Sequence, residues 1–239
     1  MSRAWTRPRP RLRPPLPRSR RRGLVLVGAL LLMLGVLILG VSVARTAFAS
    51  MASARLERDR VVARAAAEAA LADAQANIGG GAQPSSERAG WFAGAGGFVE
   101  GCGRGSQDLG LCLPAATSLP AVWQSLGLAD ETGVPLVPYG RYTGALLATG
   151  SGILPARLPG YLIEALAPAG AGPPADRFYR ITAIGFGTRA ATQVVLQAVV
   201  RKAAAGTPAA GTPAAGAPGV RISWREVANW PELHARALH

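Results

Sequence analysis

The segment Arg20-Arg21-Arg22-Gly23-Leu24-Val25-Leu26-Val27 begins a region that every other part of the chain has to accommodate. From Leu24 to Ala44 no residue is charged, and from Arg45 to Ile78 an alanine-rich run continues without a proline. Residues 24–44 supply about the 20 positions that a helix needs to cross the hydrocarbon of a bilayer. Residues 45–78 instead set apolar and charged faces against each other at helical spacing, the pattern of a helix in water that packs on a partner. As one helix, residues 24–78 would extend roughly 80 Å at about 1.5 Å per residue, farther than a compact domain of this chain can enclose. The expectation is one helix in two solvents, transmembrane over 24–44 and amphipathic over 45–78.

The region upstream fixes a direction. Nine of the net +13 charges are arginines before Gly23, where there is no Asp or Glu, and they are interleaved with Pro8, Pro10, Pro14, Pro15 and Pro17. Such a leader, residues 1–23, reads as extended and without a core. A nucleic-acid arm is the other reading of an arginine run. A positive flank directly beside an apolar span is better explained as the segment held in the cytoplasm, which carries the C-terminal part across the membrane, with no nucleic-acid partner. Three export routes fit this N-terminus. Secretory cleavage would follow Ala47-Phe48-Ala49, although the apolar run exceeds a usual signal core and Arg45 intervenes. Ser19-Arg20-Arg21 is a short twin-arginine match. The third route is a prepilin leader.

Across the membrane, the two cysteines Cys102 and Cys112 favour a disulfide over metal chemistry, with two unpaired thiols as the alternative. Closing a loop of about ten residues would contribute roughly 3 kcal/mol. In the amphipathic part, Ala52, Leu56, Ala63, Ala67, Leu71, Ala74 and Ile78 fall at helical spacings, with Arg64 and Glu68 an i,i+4 pair on another face. That stripe should lie on a sheet, its alanines allowing a close approach, and Gly79-Gly80-Gly81 should end the helix. A free-standing coiled coil is disfavoured because no heptad of large residues is sustained. Residues 83–121 read as an ordered loop region anchored by Trp91, Phe92 and Phe98, and Trp123 reads as core.

Arg177 to Lys202 reads as a hairpin, with Tyr179, Ile181 and Ala183 on one face and Val194, Leu196, Ala198 and Val200 on one face of the return strand. These faces should cover the long helix, and Gly185 to Ala191 should form the turn. Gly185-Phe186-Gly187-Thr188-Arg189-Ala190 loosely matches a dinucleotide fingerprint but lacks the crossover helix that such a loop must open. Pro159-Gly160-Tyr161-Leu162-Ile163-Glu164 reads as a short strand ending in a carboxylate. With no placed histidine, cysteine or second acid, Glu164 is a strand-end salt bridge rather than a catalyst. Residues 203–219, with Ala-Ala-Gly-Thr-Pro written twice, form a low-complexity insertion between neighbouring strands, expected to be disordered. Val220 to Val227 resumes as a strand. Trp224 and Trp230 should pack at the sheet edge, and Trp230-Pro231 should stop the segment. His234 and His239 lack companions for a metal site.

Arg21-Arg22-Gly23 directly before Leu24-Val25-Leu26-Val27 resembles the site where prepilin peptidase cuts after glycine on the cytoplasmic side. The span continuing into Arg64-Ala65-Ala66-Ala67-Glu68-Ala69-Ala70-Leu71-Ala72-Asp73-Ala74 resembles the PilX family of type IV pilus minor pilins. Pro159 to Glu164, and Tyr179-Arg180-Ile181-Thr182-Ala183 with Val194-Val195-Leu196-Gln197, are similar to that family's head strands, and Gly110-Leu111-Cys112 is compatible with its disulfide region. The resemblance implies an α+β, pilin-like fold, with a long protruding N-terminal α-helix packed on an antiparallel β-sheet, and a periplasmic head over residues 79–239. It implies cleavage between Gly23 and Leu24, an inner-membrane anchor, no cofactor and no enzymatic activity. It also implies partnership with other minor pilins and a PilY-type tip protein in a complex that primes filament assembly. Most pilins carry glutamate at the fifth mature position, where it neutralises the N-terminal amine of the subunit ahead. Here that position is Gly28, which marks a tip or starting position. A GspK-like type II secretion pseudopilin is the nearest rival, but no acidic calcium loop is visible. A membrane-anchored periplasmic enzyme would need a convergent set of catalytic residues, which the sequence does not offer.

Overall fold

The computed structural model describes residues 22–82, 86–94, 96–114, 119–166, 176–203 and 219–238. The leader up to residue 21 and the body of the Ala-Gly-Thr-Pro insertion therefore lie outside the described residues. Helix α1 spans Arg22–Ile78. It is followed by α2 (Glu87–Trp91), β1 (Leu111–Cys112), α3 (Val122–Ser125) and β2 (Val137–Pro138). The chain then runs through β3 (Gly160–Leu166), β4 (Arg177–Phe186), β5 (Gln193–Lys202), β6 (Val220–Glu226) and α4 (Trp230–Ala237). Two compact units divide it, Met1–Ser53 and Ala54–His239.

In the first unit the described residues are the helical stretch from Arg22 onward, and the apolar side chains from Leu24 to Val43 are exposed. Length and composition suffice for it to cross a membrane. Two of its hydroxyls turn back onto the helix: Thr46 Oγ1 donates to Ser42 O at 3.0 Å and Ser50 Oγ to Ala47 O at 2.9 Å.

In the second unit the strands form one mostly antiparallel sheet in the order β1-β3-β4-β5-β6, with β2 also paired to β3. The exception to antiparallel pairing is β1 against β3, which places Leu111 beside Ile163 and Cys112 beside Glu164. The β4–β5 hairpin pairs Arg177 with Lys202 at its open end and Phe186 with Gln193 at its closed end. Gly185 is thus inside β4, not in the turn, which is tied by Gly187 N–H to Thr192 O at 2.8 Å. The expected inward faces hold: Tyr179, Ile181, Ala183, Val194, Leu196, Ala198 and Val200 are buried with Ala63, Ala67, Leu71, Ala74 and Ile78 of α1. The stripe starts later than its spacing suggested, because Ala52 and Leu56 are exposed.

Gly185 explains how closely helix and sheet meet. A Cβ there would collide with Ala63 O and the Ala67 backbone nitrogen, so only glycine admits α1 at this distance. On the opposite face of the sheet, Leu162, Ile184, Phe186 and Val195 pack beneath Val122, Trp123, Leu128 and Trp230, which come from α3, α4 and the loops beside them. Trp230-Pro231 opens α4 rather than stopping the segment, since proline in the first turn gives up no helical hydrogen bond. Trp230 is buried, whereas Trp224 remains 39% exposed.

Candidate assembly site

The anchor presents no acid between Leu24 and Ala44, and the first acid along the helix is Glu57. Gly23 is the second residue of α1, with Leu24 following it in the helix. At Gly28, Gly35 and Gly40 an added Cβ would meet nothing within 4 Å. Gly28 and Gly35 are seven residues apart and share a helix face, while Gly40 is rotated from Gly35 by about 140° at 3.6 residues per turn. Two of the three glycines therefore lie on one helix face and the third on another.

The head is attached to its part of α1 through two buried acids that the apolar periodicity did not single out. Asp59 is 3% exposed. Its Oδ1 accepts from Thr188 N–H at 2.5 Å and Thr188 Oγ1 at 2.7 Å, while its Oδ2 accepts from Arg189 Nε at 3.0 Å and from Thr192 Oγ1 at 2.5 Å. Burial alone would raise this carboxyl, but the bonds from Thr192, Thr188 and Arg189 outweigh it and hold the group well below the usual carboxylate range. Asp73 does the same for another loop, accepting from Gly140 N–H at 2.9 Å and from the Thr143 hydroxyl. The signal was available. Asp59, Ala63, Ala66, Ala70, Asp73 and Asn77 recur at intervals of three and four, so both acids lie in the stripe itself.

At the end of α1, Gly80 and Gly81 adopt φ of 119° and 60°, and Gly81 N–H donates to Ala76 O at 2.9 Å. Lys202 adds a cation to the same terminus, its Nζ 2.6 Å from Ile78 O, with burial lowering its pKa. Arg88, 1% exposed, ties the loop region down. Its Nε donates to Asn77 Oδ1 at 3.0 Å, its Nη1 to Leu109 O at 3.0 Å and to Gln107 O, and its guanidinium lies 3.8 Å from the Tyr142 ring centroid. Cys102 and Cys112 are joined in a disulfide, with Cys102 in the left-handed region at φ 72°.

Glu164 lies within β3, not at its end, and is 1% exposed. Arg180 Nη1 is 3.7 Å from Oε2, an ion pair too long for a hydrogen bond, and among the described residues neither carboxylate oxygen has a hydrogen-bond partner. Burial pushes its pKa up to about 7, opposed by Arg180. His234 donates from Nδ1 to Gln124 O at 2.6 Å and stacks on Trp230, a packing role in α4.

A long N-terminal helix whose later part lies on a mostly antiparallel sheet, with a disulfide joining a loop to the edge strand β1, defines a pilin-like α+β protein. Two family models match in chain order: PilX N-terminal over residues 22–72, and type IV pilus assembly protein PilX C-term over residues 108–202. Together they cover more than half of the chain, which belongs to the PilX family of type IV pilus assembly proteins. Comparison with curated proteins and with solved structures gave no match.

Proposed function

We propose that this chain is a structural, non-catalytic minor pilin at the tip of a type IV pilus, where it primes filament assembly with other minor pilins and a PilY-type protein. Before assembly it resides in the inner membrane through residues 24–44, with its head in the periplasm, after prepilin peptidase has cut between Gly23 and Leu24. The observation that carries the tip assignment is the glycine at position 28 in a run with no acid from Leu24 to Ala44. A carboxylate among apolar helices is costly unless it meets a cation. A subunit with nothing ahead of it has no amine to neutralise and gains nothing from an acid. Recruitment then falls to head contacts and to close packing at the open glycines, because lipid is as apolar as a neighbouring helix.

The test is immunogold labelling of an epitope placed in residues 203–219, outside both family matches and between the paired strands β5 and β6. Label at one end of sheared fibres is the expected result. Label spread evenly along them would remove the tip assignment.

A further inference from the structure

Strand β6 is a sheet edge of an unusual kind. From Val220 to Arg225 every residue is exposed, including three large apolar side chains: Val220 and Ile222 at 53% each and Trp224 at 39%. Its inner edge is paired to β5, and among the described residues no strand pairs with its outer edge. Edge strands of natural proteins are usually blunted by charge, proline or a bulge, because free N–H and C=O groups beside apolar side chains recruit other chains. Here the register slips by one residue, leaving Ile222 unopposed between the Val199–Ser223 and Val200–Arg221 pairs, but Trp224 and its neighbours stay in regular pairing. Val227 N–H donates to Val195 O at 2.9 Å, so by alternation the N–H and C=O of Trp224 point away from β5, into the space beyond the sheet.

The surroundings of that edge are cationic. Arg60 and Arg64 of α1 reach Glu226 at 2.5 and 3.8 Å, and the Arg64 guanidinium lies 5.2 Å from the Trp224 ring centroid. Arg221 is held over the same side by Gln75 Oε1 at 2.5 Å, and Arg225 projects from the other face onto Gln197 at 2.7 Å. Among the described residues, Glu226 and Glu68 are the carboxylates paired with these four arginines, which leaves the group net positive. A second copy of the chain is a poor occupant. It would bring its own net-positive arginine group to the same edge, a like-charge approach that opposes such a contact.

We propose that the outer edge of β6 receives an extended, acidic segment of a partner protein on the same side of the membrane. The segment adds to the sheet as a further strand beside Trp224 while its carboxylates meet Arg60, Arg64 and Arg221. Backbone pairing supplies the affinity, and the arginines select the partner and its register. The inference needs only the head fold and is independent of where the subunit sits in a filament.

The experiment places the photocrosslinker benzoylphenylalanine at Ile222 of the full-length chain in its own cells and identifies the crosslinked peptide by mass spectrometry. One adduct to an acidic segment of another protein is expected, with yield falling several-fold in Arg221→Glu. The strand geometry is tested separately, since proline at position 224 removes an outward N–H but no bond to β5. Trp224→Pro should therefore lose far more adduct than Trp224→Ala, and unaltered thermal melting of Arg221→Glu guards against simple misfolding. An adduct to a second copy, to lipid or to a segment without carboxylates would overturn the proposal. So would the absence of an adduct, a yield indifferent to Arg221→Glu, or equal yields from the proline and alanine variants.

Discussion

Glu164 and Asp59 are both almost fully buried, and their opposite environments give opposite pH dependences. The Glu164 carboxyl is raised by burial from 4.5 to about 7, so the folded chain binds its proton more tightly than the unfolded chain does. Its contribution is fully present below about pH 4.5 and is lost as pH rises through 7, a change on the order of 3 kcal/mol at 1.36 kcal/mol per unit. Asp59 is held low by donors from the β4–β5 turn, so the stability it contributes is present at neutral pH and is lost only in strong acid. Between pH 5 and 8 the Glu164 effect is therefore isolated from that of Asp59. The full chain in detergent should melt at a higher temperature at pH 5 than at pH 8, and Glu164→Gln should raise the pH 8 value and flatten the difference. A Glu164→Gln chain that keeps the wild-type pH dependence would show that another group titrates in this window.

Among the elements, the interface of α1 with the β4–β5 hairpin concentrates the packing, because alanines on the helix and Gly185 on the strand let two backbones approach without intervening side chains. Gly185→Ala should destabilise the head by about 1–3 kcal/mol, the range for overpacking a filled core, and the loss is readable by thermal melting. Leu71→Asp should cost more, since Leu71 is fully buried in the apolar cluster, whereas Leu56→Asp, at a position 57% exposed, should leave melting nearly unchanged. Equal effects at 71 and 56 would contradict the observed packing boundary. This interface was also the most legible part of the sequence. Period-two faces in 177–202 and helical spacing in 63–78 each name their buried residues without reference to the other. Gly185 lies in β4 although its sequence context suggests the turn, because a glycine in sequence does not distinguish a turn from a close approach. The acids Asp59 and Asp73 were hidden by their charge, although their spacing placed them in the stripe. The parallel β1–β3 contact, two residues long, carries no pattern above background, since its partners are separated by a loop region that has no periodicity.

At the scale of the whole molecule, the two ends of the apolar helix differ in charge. The leader sets nine arginines directly before residues 24–44, the charge asymmetry on which the proposed topology rests, with the N-terminus in the cytoplasm and the head across the membrane. Once the leader is cut after Gly23, as the family resemblance implies, the arginines are gone and a new amine stands at Leu24, at the edge of the apolar helix. In a filament whose repeating subunits carry an acid at their fifth residue, that amine can be neutralised by the subunit behind. This chain, with Gly28 and no other acid before Glu57, has no carboxylate to offer a subunit ahead. The proposed tip position therefore depends on processing: the chain supplies the cation of a pair whose anion it lacks, and only cleavage at Gly23 creates that cation in place. Mass spectrometry of the protein purified from membranes should find a first peptide beginning at Leu24, carrying an N-methyl group. A chain beginning at Ser50 would mean that a signal peptidase had removed the anchor. One still carrying Met1 would leave the amine far from the apolar span, and in either case the ion-pairing logic of the tip assignment would be lost.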